Sequence, residues 1–281
     1  MGLSSSLLEV IMKRLIYQVA VGAKSKLYNH CIGSVAKYCD EHNIDHIVQT
    51  VPKLRIKPDV FMTGRSTESY EKHGGFLPIF EKENAFSYFK DYDQIAIIDA
   101  DIWIRPGSSN IFLEIDADAD FAGVVESEMP IEPWYNQKIL GYSRMQYGTL
   151  KIPTWYGQYN DKTGFPFMNM GMMVMNNSFA KYLNDETPEQ FIRRSEFKKF
   201  VDGIGPYKWS TDQTLLNYWV NTCGMNVQRL DWKWNALFTA VESDKIKEAN
   251  FVHFFLKDKL PAHGENVPAL MTAIGEQYND G

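Results

Sequence analysis

The part of the sequence that says most about the fold is Gln94-Ile95-Ala96-Ile97-Ile98-Asp99-Ala100-Asp101-Ile102-Trp103. Residues 94–99 form an almost continuous apolar run, which is typical of a strand buried on both faces of a parallel sheet. The two aspartates stand where this strand ends, and α/β proteins bind their ligands at the carboxyl ends of such strands. The stretch therefore predicts an α/β fold with a polar site at one edge of its sheet.

A strand, a helix and a second strand precede this stretch. Residues 14–22 are a β-rich apolar run closed by glycine, and residues 25–42 carry apolar residues at helical spacing behind Ser25, a candidate N-cap. Residues 44–51 follow as a second strand, ended by Pro52. This order predicts a βαβ unit, and hence a Rossmann-like, mostly parallel central sheet flanked by helices.

The rest of the chain extends this pattern over one domain. We expect further strands at 121–125, 172–175 and 226–229, and helices at 84–90, 188–200 and 212–221. Residues 134–167 are rich in Tyr, Trp and Gly with poor periodicity, which predicts an ordered loop excursion. Since no linker divides the chain, we expect a lead-in over 1–13, one domain over 14–261 and a tail over 262–281.

The composition excludes several classes of protein. Hydrophobic residues make up 44% and charged residues 23% of the 281 residues, as in globular domains, so disorder, collagen and coiled coils are excluded. A net charge of −6 argues against a nucleic-acid binder, and no apolar run is long enough to span a membrane. Three cysteines without CxxC spacing fit a reducing compartment, and no signal-peptide pattern is present, so we expect a cytoplasmic protein.

Asp99 and Asp101 carry the clearest chemical signal. Residues i and i+2 of an extended segment point the same way, so both carboxylates can face one ion. Side by side they repel each other, and a divalent cation removes that cost. Hard oxygen ligands suit Mg²⁺ or Mn²⁺, which also bind diphosphate oxygens. The alternative is a solvated strand end with two acidic residues.

Two other uses of aspartate patterns are excluded. Asp116, Asp118 and Asp120 have the spacing of positions 1, 3 and 5 of a calcium loop, but position 6 is Phe121 and position 12 is Ser127, where glycine and glutamate are needed. We interpret these aspartates as a solvated turn. A haloacid-type phosphatase would carry Asp-x-Asp after its first strand, and here the motif lies near residue 100.

Four motifs occur in an order that resembles a known family. They are Asp99-Ala100-Asp101, Phe167-Met168-Asn169-Met170-Gly171-Met172, Ser210-Thr211-Asp212-Gln213-Thr214-Leu215-Leu216-Asn217, and Val252-His253-Phe254-Phe255 followed by Lys259. Together they resemble the GT-A glycosyltransferases of family 8, the group of glycogenin and the lipopolysaccharide galactosyltransferases. The resemblance covers residues 14–261 and implies the GT-A fold.

The resemblance also implies roles for particular residues. Asp99, Asp101 and His253 would hold Mn²⁺, since an imidazole among carboxylates shifts the preference away from Mg²⁺. Asp212 and Gln213 would be the catalytic pair beside the anomeric carbon. Residues 253–259 would close over the diphosphate, with a lysine neutralising it. The implied donor contacts are Ala20, Val21, Gly22, Lys82, Asp99, Ala100, Asp101, Asn169, Gly171 and Lys259.

These residues also have ordinary structural explanations. His253 follows an apolar run and could be a satisfied core histidine, and Lys82 could be a surface lysine on a helix. Residues 168–175 suit a buried strand, and residues 210–212 suit a helix N-cap. The phosphate loop departs from the family pattern, because Leu256 and Leu260-Pro261 replace the usual glycine and Pro-Trp.

The resemblance implies transfer of a hexose from a nucleotide diphosphate sugar, with UDP as the expected nucleotide, to a hydroxyl of a glycan, protein or lipid. It also implies retention of configuration, although inversion with Asp212 as base stays open. Aromatic rings stack on sugars, so Trp134, Trp155 and Tyr156 are candidate acceptor contacts. The alternatives are a sugar-1-phosphate nucleotidyltransferase, which would need more glycine than residues 21–26 supply, and a carbohydrate-binding protein without catalysis.

Overall fold

Two sheets form the centre of the computed structural model, which describes residues 12–22, 24–59, 71–207 and 212–278. The strands are β1 Arg14–Val19, β2 Asp45–Gln49, β3 Gln94–Ile98, β4 Ile102–Ile104, β5 Phe121–Val125, β6 Met168–Asn176, β7 Val227–Arg229, β8 Ala236–Leu237 and β9 Phe251–His253. The large sheet has the order β2-β1-β3-β6-β5-β7, and the small sheet has the order β4-β9-β8.

The large sheet is mostly parallel, with one strand reversed. β1 pairs in parallel with both β2 and β3, and β5 pairs in parallel with β7. β6 runs antiparallel to its neighbours β3 and β5. The helix Lys26–His42 connects β1 to β2, so the βαβ unit predicted from the sequence is confirmed.

Helices cover both faces of this sheet. The α-helices with both ends among the described residues are α1 Lys26–His42, α2 Pro133–Tyr147, α3 Pro153–Tyr156, α4 Pro188–Ile192, α5 Lys198–Val201, α6 Asp212–Thr222 and α7 Val267–Ala273. The 3₁₀ helices are Pro78–Tyr88, Ile111–Leu113, Glu126–Glu128, Asn177–Leu183, Ser195–Phe197, Gly205–Tyr207, Trp232–Trp234, Ile246–Glu248, Lys257–Lys259 and Pro261–Gly264. Ser25 stands at the predicted N-cap of α1 but makes no capping hydrogen bond.

The predicted helix over 188–200 is broken into three short pieces. A capping box at Thr187 starts α4, and the chain leaves helical geometry at Arg194 before the next turn begins. The break allows Phe191 and Phe197 to be fully buried together, with their ring centroids 5.2 Å apart. Six residues apart in one continuous helix, these rings would point to different faces.

The prediction of a loop over 134–167 is wrong, because α2 and α3 occupy much of this segment. The inward residues of α2 do follow helical spacing. Two of them, Ser143 and Gln146, are polar yet fully buried, so the apolar pattern that reveals a helix is interrupted. Gln146 is accommodated because its amide donates to Pro206 O at 2.9 Å.

The side chains of alternate strand residues pack in two hydrophobic cores, one on each face of the large sheet. In β3, Ala96 and Ile98 belong to one core, whereas Ile95 and Ile97 belong to the other. All four are buried, as the sequence run predicts for a central strand. The first core also includes the small sheet, so it packs beneath the two aspartates that follow β3.

The packed structure continues beyond residue 261. In α7, Leu270 and Met271 are buried in the same core as α1, within the segment that the sequence analysis treats as a tail. Of the expected lead-in over 1–13, residues 1–11 lie outside the described part of the chain. Among the described residues, no helix is both long and apolar enough to cross a membrane.

Trp155 tests the packing of this first core. Its side chain is 2% exposed, and its ring centroid lies 4.6 Å from that of Tyr147. Trp155→Ala would leave a large cavity, so we expect it to lower the free energy of unfolding by about 3–5 kcal/mol in urea denaturation.

The neighbouring Tyr156 is the matched control, because its side chain is 51% exposed. Its hydroxyl donates to Gly148 O at 2.9 Å, so Tyr156→Ala should cost no more than about 1 kcal/mol. Equal losses at both positions would contradict the packing described for Trp155.

Candidate active site

Asp99 and Asp101 lie in the turn that joins β3 to β4, at the carboxyl edge of the large sheet. Asp99 N donates to Gly171 O of β6 at 2.7 Å, and Ile102 N donates to Asp99 O at 3.0 Å, which closes the turn. The two carboxylates thus lie together because the chain turns, and not because it stays extended as the sequence analysis assumed. The predicted location at the end of β3 is correct.

His253 joins this pair from the small sheet. β9 runs antiparallel to β4 and places His253 opposite Ile102. Its Nε2 lies 3.2 Å from Asp101 Oδ1 and 3.8 Å from Asp99 Oδ2. Ligand atoms of these three residues lie within 4.8 Å of one another, so the group can hold a metal ion. Two carboxylates and one imidazole are a donor set that suits a divalent cation.

Burial and charge act in opposite directions on this cluster. Burial disfavours a protonated His253, but the carboxylates of Asp101 and Asp99 outweigh it and raise the pKa of the imidazole. Burial also raises the pKa of Asp99, while the ammonium of Lys82 acts to lower it. The cluster therefore attracts positive charge.

Lys82 supplies part of that charge from the 3₁₀ helix Pro78–Tyr88. Its Nζ lies 2.8 Å from Asp99 Oδ1, 2.7 Å from Asp212 Oδ2 and 3.1 Å from Met170 O. Burial by itself would lower the pKa of Lys82, but Asp212 and Asp99 raise it above the ordinary value. Lys82 is therefore no surface lysine, and it holds Asp212 and Asp99 on either side of one buried ammonium.

Gln213 follows Asp212 in the first turn of α6 and is held on both sides of its amide. Its Oε1 accepts from Met170 N at 3.3 Å, and its Nε2 lies 3.4 Å from Glu126 Oε1. The segment 208–211, which includes the predicted N-cap residues, lies outside the described residues. The two predicted catalytic residues therefore lie at the site, one joined to Lys82 and one to Glu126.

Glu126 is a buried carboxylate that the sequence analysis missed. Its Oε2 accepts from the Tyr135 hydroxyl at 2.7 Å, and its Oε1 accepts from Asn169 Nδ2 at 2.8 Å. Burial raises the pKa of Glu126, and the hydrogen bonds from Asn169 and Tyr135 act in the opposite direction. The available signal was its position directly after β5, which is the same signal that identified Asp99.

Asn169 and Gly171, which the resemblance assigns to the donor contacts, lie on β6 beside the histidine. Asn169 Oδ1 accepts from Gly171 N at 2.9 Å and from Asn235 Nδ2 at 3.0 Å. Asn235 in turn lies against His253, and no motif in the sequence pointed to it. A Cβ at Gly171 would overlap the imidazole of His253, since it would lie 2.7 Å from Nδ1.

Residues 20–22 extend from the end of β1 at the same sheet edge. Ala20 N donates to Gln49 O at 2.8 Å, and Gly22 has a positive φ of 69°, which glycine adopts without strain. Gln18, at the end of β1, donates from Nε2 to Asp99 O at 3.3 Å. The strand that leads into the predicted donor contacts at 20–22 is thus hydrogen-bonded to the turn of the acid pair.

Lys259 and Trp134 lie together, and both side chains are exposed. The Lys259 ammonium is centred 3.3 Å from the ring of Trp134, a cation–π contact. Trp134 is 39% exposed and Tyr156 is also exposed, whereas Trp155 packs in the core. Of the predicted acceptor contacts, Trp134 and Tyr156 are therefore exposed and Trp155 is not. β9, which carries His253, is the central strand of the small sheet.

The arrangement of the sheet, with an acid pair after β3 facing a histidine from a late strand, is that of a GT-A glycosyltransferase. The chain belongs to glycosyl transferase family 8, whose model matches residues 15–259. The resemblance inferred from the four motifs is confirmed over nearly the whole predicted domain. Family membership favours glycosyl transfer over the nucleotidyltransferase alternative.

Several solved structures are similar to this chain at low sequence identity. A glycosyltransferase involved in the glycosylation of the major capsid of PBCV-1 is 12% identical, with a TM-score of 0.52 over 91% of this chain and 98% of that chain. Mouse xyloside xylosyltransferase 1 is 12% identical, with a TM-score of 0.45 over 89% and 99% of the two chains. The galactosyltransferase LgtC is 11% identical, with a TM-score of 0.47 over 95% and 97%. No curated protein matches the sequence.

Gly171→Ala tests the close packing at the site. The added Cβ would meet the His253 ring and would also lie 2.9 Å from Asn169 Oδ1, so the imidazole must move. We expect the free energy of unfolding in urea to fall by about 1–3 kcal/mol, as for other overpacked positions.

Gly33→Ala in α1 is the control, because a Cβ there meets nothing within 4 Å. Alanine at this helical position should raise the free energy of unfolding by about 0.5–1 kcal/mol. A Gly171→Ala protein as stable as the parent, with unchanged His253 ring resonances, would show that position 171 is not crowded.

Proposed function

We propose that this glycosyltransferase moves a hexose from a UDP-hexose to an acceptor hydroxyl, with a divalent cation and with retention of configuration. The observation that carries the proposal is the cluster of Asp99, Asp101 and His253, whose ligand atoms lie within 4.8 Å of one another beside the buried Lys82. A cluster of this charge at the carboxyl edge of the sheet suits a metal-bound diphosphate.

The donor set supports Mn²⁺ over Mg²⁺. Magnesium favours an all-oxygen shell, whereas the imidazole of His253 is a nitrogen ligand that manganese accepts more readily. When bound, such an ion acts as a Lewis acid towards the departing diphosphate. Lys259 would add a second positive charge there, since it stands in the family's place for a diphosphate lysine. It would exchange its contact with Trp134 for a charge-assisted one.

Retention is proposed because the family resemblance implies it, and Gln213 is the residue that would lie beside the sugar. As the bond from the anomeric carbon to the diphosphate breaks, positive charge develops on the sugar, and the Gln213 amide oxygen would stabilise it. The backbone contact from Met170 N holds this amide in place. The acceptor oxygen would attack from the side of the leaving group, and its proton would pass to the departing diphosphate.

The acceptor is proposed to bind on the side of α2 and α3. Trp134 and Tyr156 are exposed aromatic side chains there, and aromatic rings contact sugar C–H surfaces well. A glycan, a protein-linked sugar or a glycolipid would each present such a surface. Trp155 has no such role in this proposal, because its side chain is buried.

A thermal-shift screen of UDP-sugars tests the donor and the metal together. A ligand that binds only the native state raises the melting temperature, so UDP-hexose with Mn²⁺ should raise it more than either alone. Asp101→Asn should abolish the Mn²⁺-dependent part of this shift. Asp118→Asn, at an exposed position in the 116–120 turn, should leave it unchanged. A Mn²⁺-dependent shift in Asp101→Asn as large as in the parent would contradict the proposed metal site.

Gln213→Ala tests the proposed stabilisation of the transition state. Because the contact forms mainly as charge develops, we expect kcat to fall about 100-fold while KM for the donor changes little. The measurement is steady-state transfer or donor hydrolysis. Gln190→Ala, which removes an exposed helix cap, should leave kcat unchanged. A loss confined to donor KM would assign Gln213 to binding alone.

A further inference from the structure

The imidazole of His253 has two nitrogens with different partners. Nε2 faces Asp101 and Asp99, whereas Nδ1 lies 3.2 Å from Asn235 Oδ1. Asn235 is fully buried, and His253 is 5% exposed, so water does not compete for this contact. The side chain of Asn235 therefore determines what Nδ1 can do.

The orientation of the Asn235 amide is fixed by the main chain. One atom of the amide lies 3.3 Å from Asn169 O, a backbone carbonyl that only accepts hydrogen bonds. That atom must be the nitrogen, which also donates to Asn169 Oδ1 at 3.0 Å. The Asn235 oxygen consequently faces His253, because a side-chain amide presents its oxygen opposite its nitrogen.

The orientation of the Asn169 side-chain amide is fixed in the same way. Gly171 N, a backbone donor, points at Asn169 Oδ1 at 2.9 Å, so the nitrogen of Asn169 faces Glu126. The Glu126 carboxylate accepts this hydrogen bond, and it also accepts one from the hydroxyl of Tyr135. Every hydrogen bond between Glu126 and His253 therefore runs in one direction.

We infer that Asn235 is a positioning residue that keeps a hydrogen on His253 Nδ1 and so presents the Nε2 lone pair to a cation between Asp99 and Asp101. An amide oxygen only accepts, which means that Nδ1 must donate to it. Metal-binding histidines are oriented by such a hydrogen bond on their other nitrogen. The part of the inference that concerns a metal rests on the proposed function. The part that concerns the hydrogen on Nδ1 rests on the hydrogen-bond geometry alone.

The hydrogen bonds from His253 through Asn235 and Asn169 to Glu126 also connect the metal-ligand cluster to Gln213. Glu126 Oε1, at their far end, lies 3.4 Å from Gln213 Nε2. The ring of His253 and the amide of Gln213 are thus held by one hydrogen-bonded set that passes through Asn169 and Asn235. Loss of Asn235 should disturb the ring directly, while Gln213 keeps its contact with Met170 N.

The first arm of the test uses Mn²⁺ alone, with binding measured by the electron paramagnetic resonance signal of the free ion. Asn235→Leu removes the acceptor at similar volume, and we expect Mn²⁺ affinity to fall about 10- to 100-fold. Asn235→Asp keeps an oxygen towards Nδ1, and a proton on its other oxygen can donate to Asn169 in place of the amide nitrogen, so it should retain affinity within a few-fold of the parent. Parent-like affinity in a folded Asn235→Leu protein would overturn the inference.

Asn176→Leu controls for the loss of any buried amide. Asn176 donates to Ala119 O at 2.6 Å and accepts from Gln94 Nε2 at 2.8 Å, at the far end of β6 from His253. It should lose stability without losing Mn²⁺ affinity. If Asn235→Leu does not fold, weak binding by Asn235→Asp would itself overturn the inference, and retained binding would support it.

The second arm separates this inference from the proposed metal. In nitrogen-15 spectra of the metal-free protein, the His253 Nδ1 hydrogen should exchange slowly with water, and Asn235→Leu should make it exchange fast. A fast-exchanging Nδ1 hydrogen in the parent would overturn the inference even if Mn²⁺ binds. A protected Nδ1 hydrogen with no Mn²⁺ binding would support the Asn235 contact and count against the proposed function.

Discussion

The ammonium of Lys82 is the contact on which the site depends. It stands between a carboxylate that follows β3 and one that begins α6, with Met170 O as its third partner. Removing these charges from water costs several kcal/mol per ion, which their mutual attraction must offset. Without the ammonium, the partly exposed carboxylate of Asp99 and the buried carboxylate of Asp212 would repel each other across the sheet edge. The position of α6, and with it Gln213, is therefore tied to the acid pair by this one group.

The reversed strand β6 is the second determinant, because its main chain orients the polar side chains around it. Gly171 contributes its carbonyl to the turn of the acid pair and its N–H to Asn169, while Met170 N meets Gln213. Main-chain groups cannot exchange donor for acceptor, so each side-chain amide has one permitted orientation. The main chain of β6 thus fixes the orientation of the amides that it contacts.

Features that follow from a local sequence pattern could be predicted. Features that depend on contacts between distant segments could not. The acid pair and His253 were found because they belong to motifs beside apolar strands, and β5 was predicted with its observed bounds. The helix α2 was missed because buried Ser143 and Gln146 interrupt its apolar stripe. Asn235 carries no local signal, since its importance arises only where the chain folds back against His253. The reversal of β6 likewise depends on how distant segments pair.

The small sheet has a consequence for the order of folding. Its strands β4 and β9 lie roughly 150 residues apart in the sequence, and only their pairing brings His253 to Asp101. Contacts between such distant segments form late, because the cost of closing the intervening chain precedes their gain. The βαβ unit around β1, α1 and β2 can assemble from its own neighbours well before then. The cluster of Asp99, Asp101 and His253 therefore becomes complete only once nearly the whole domain is in place, so an incompletely folded chain lacks it.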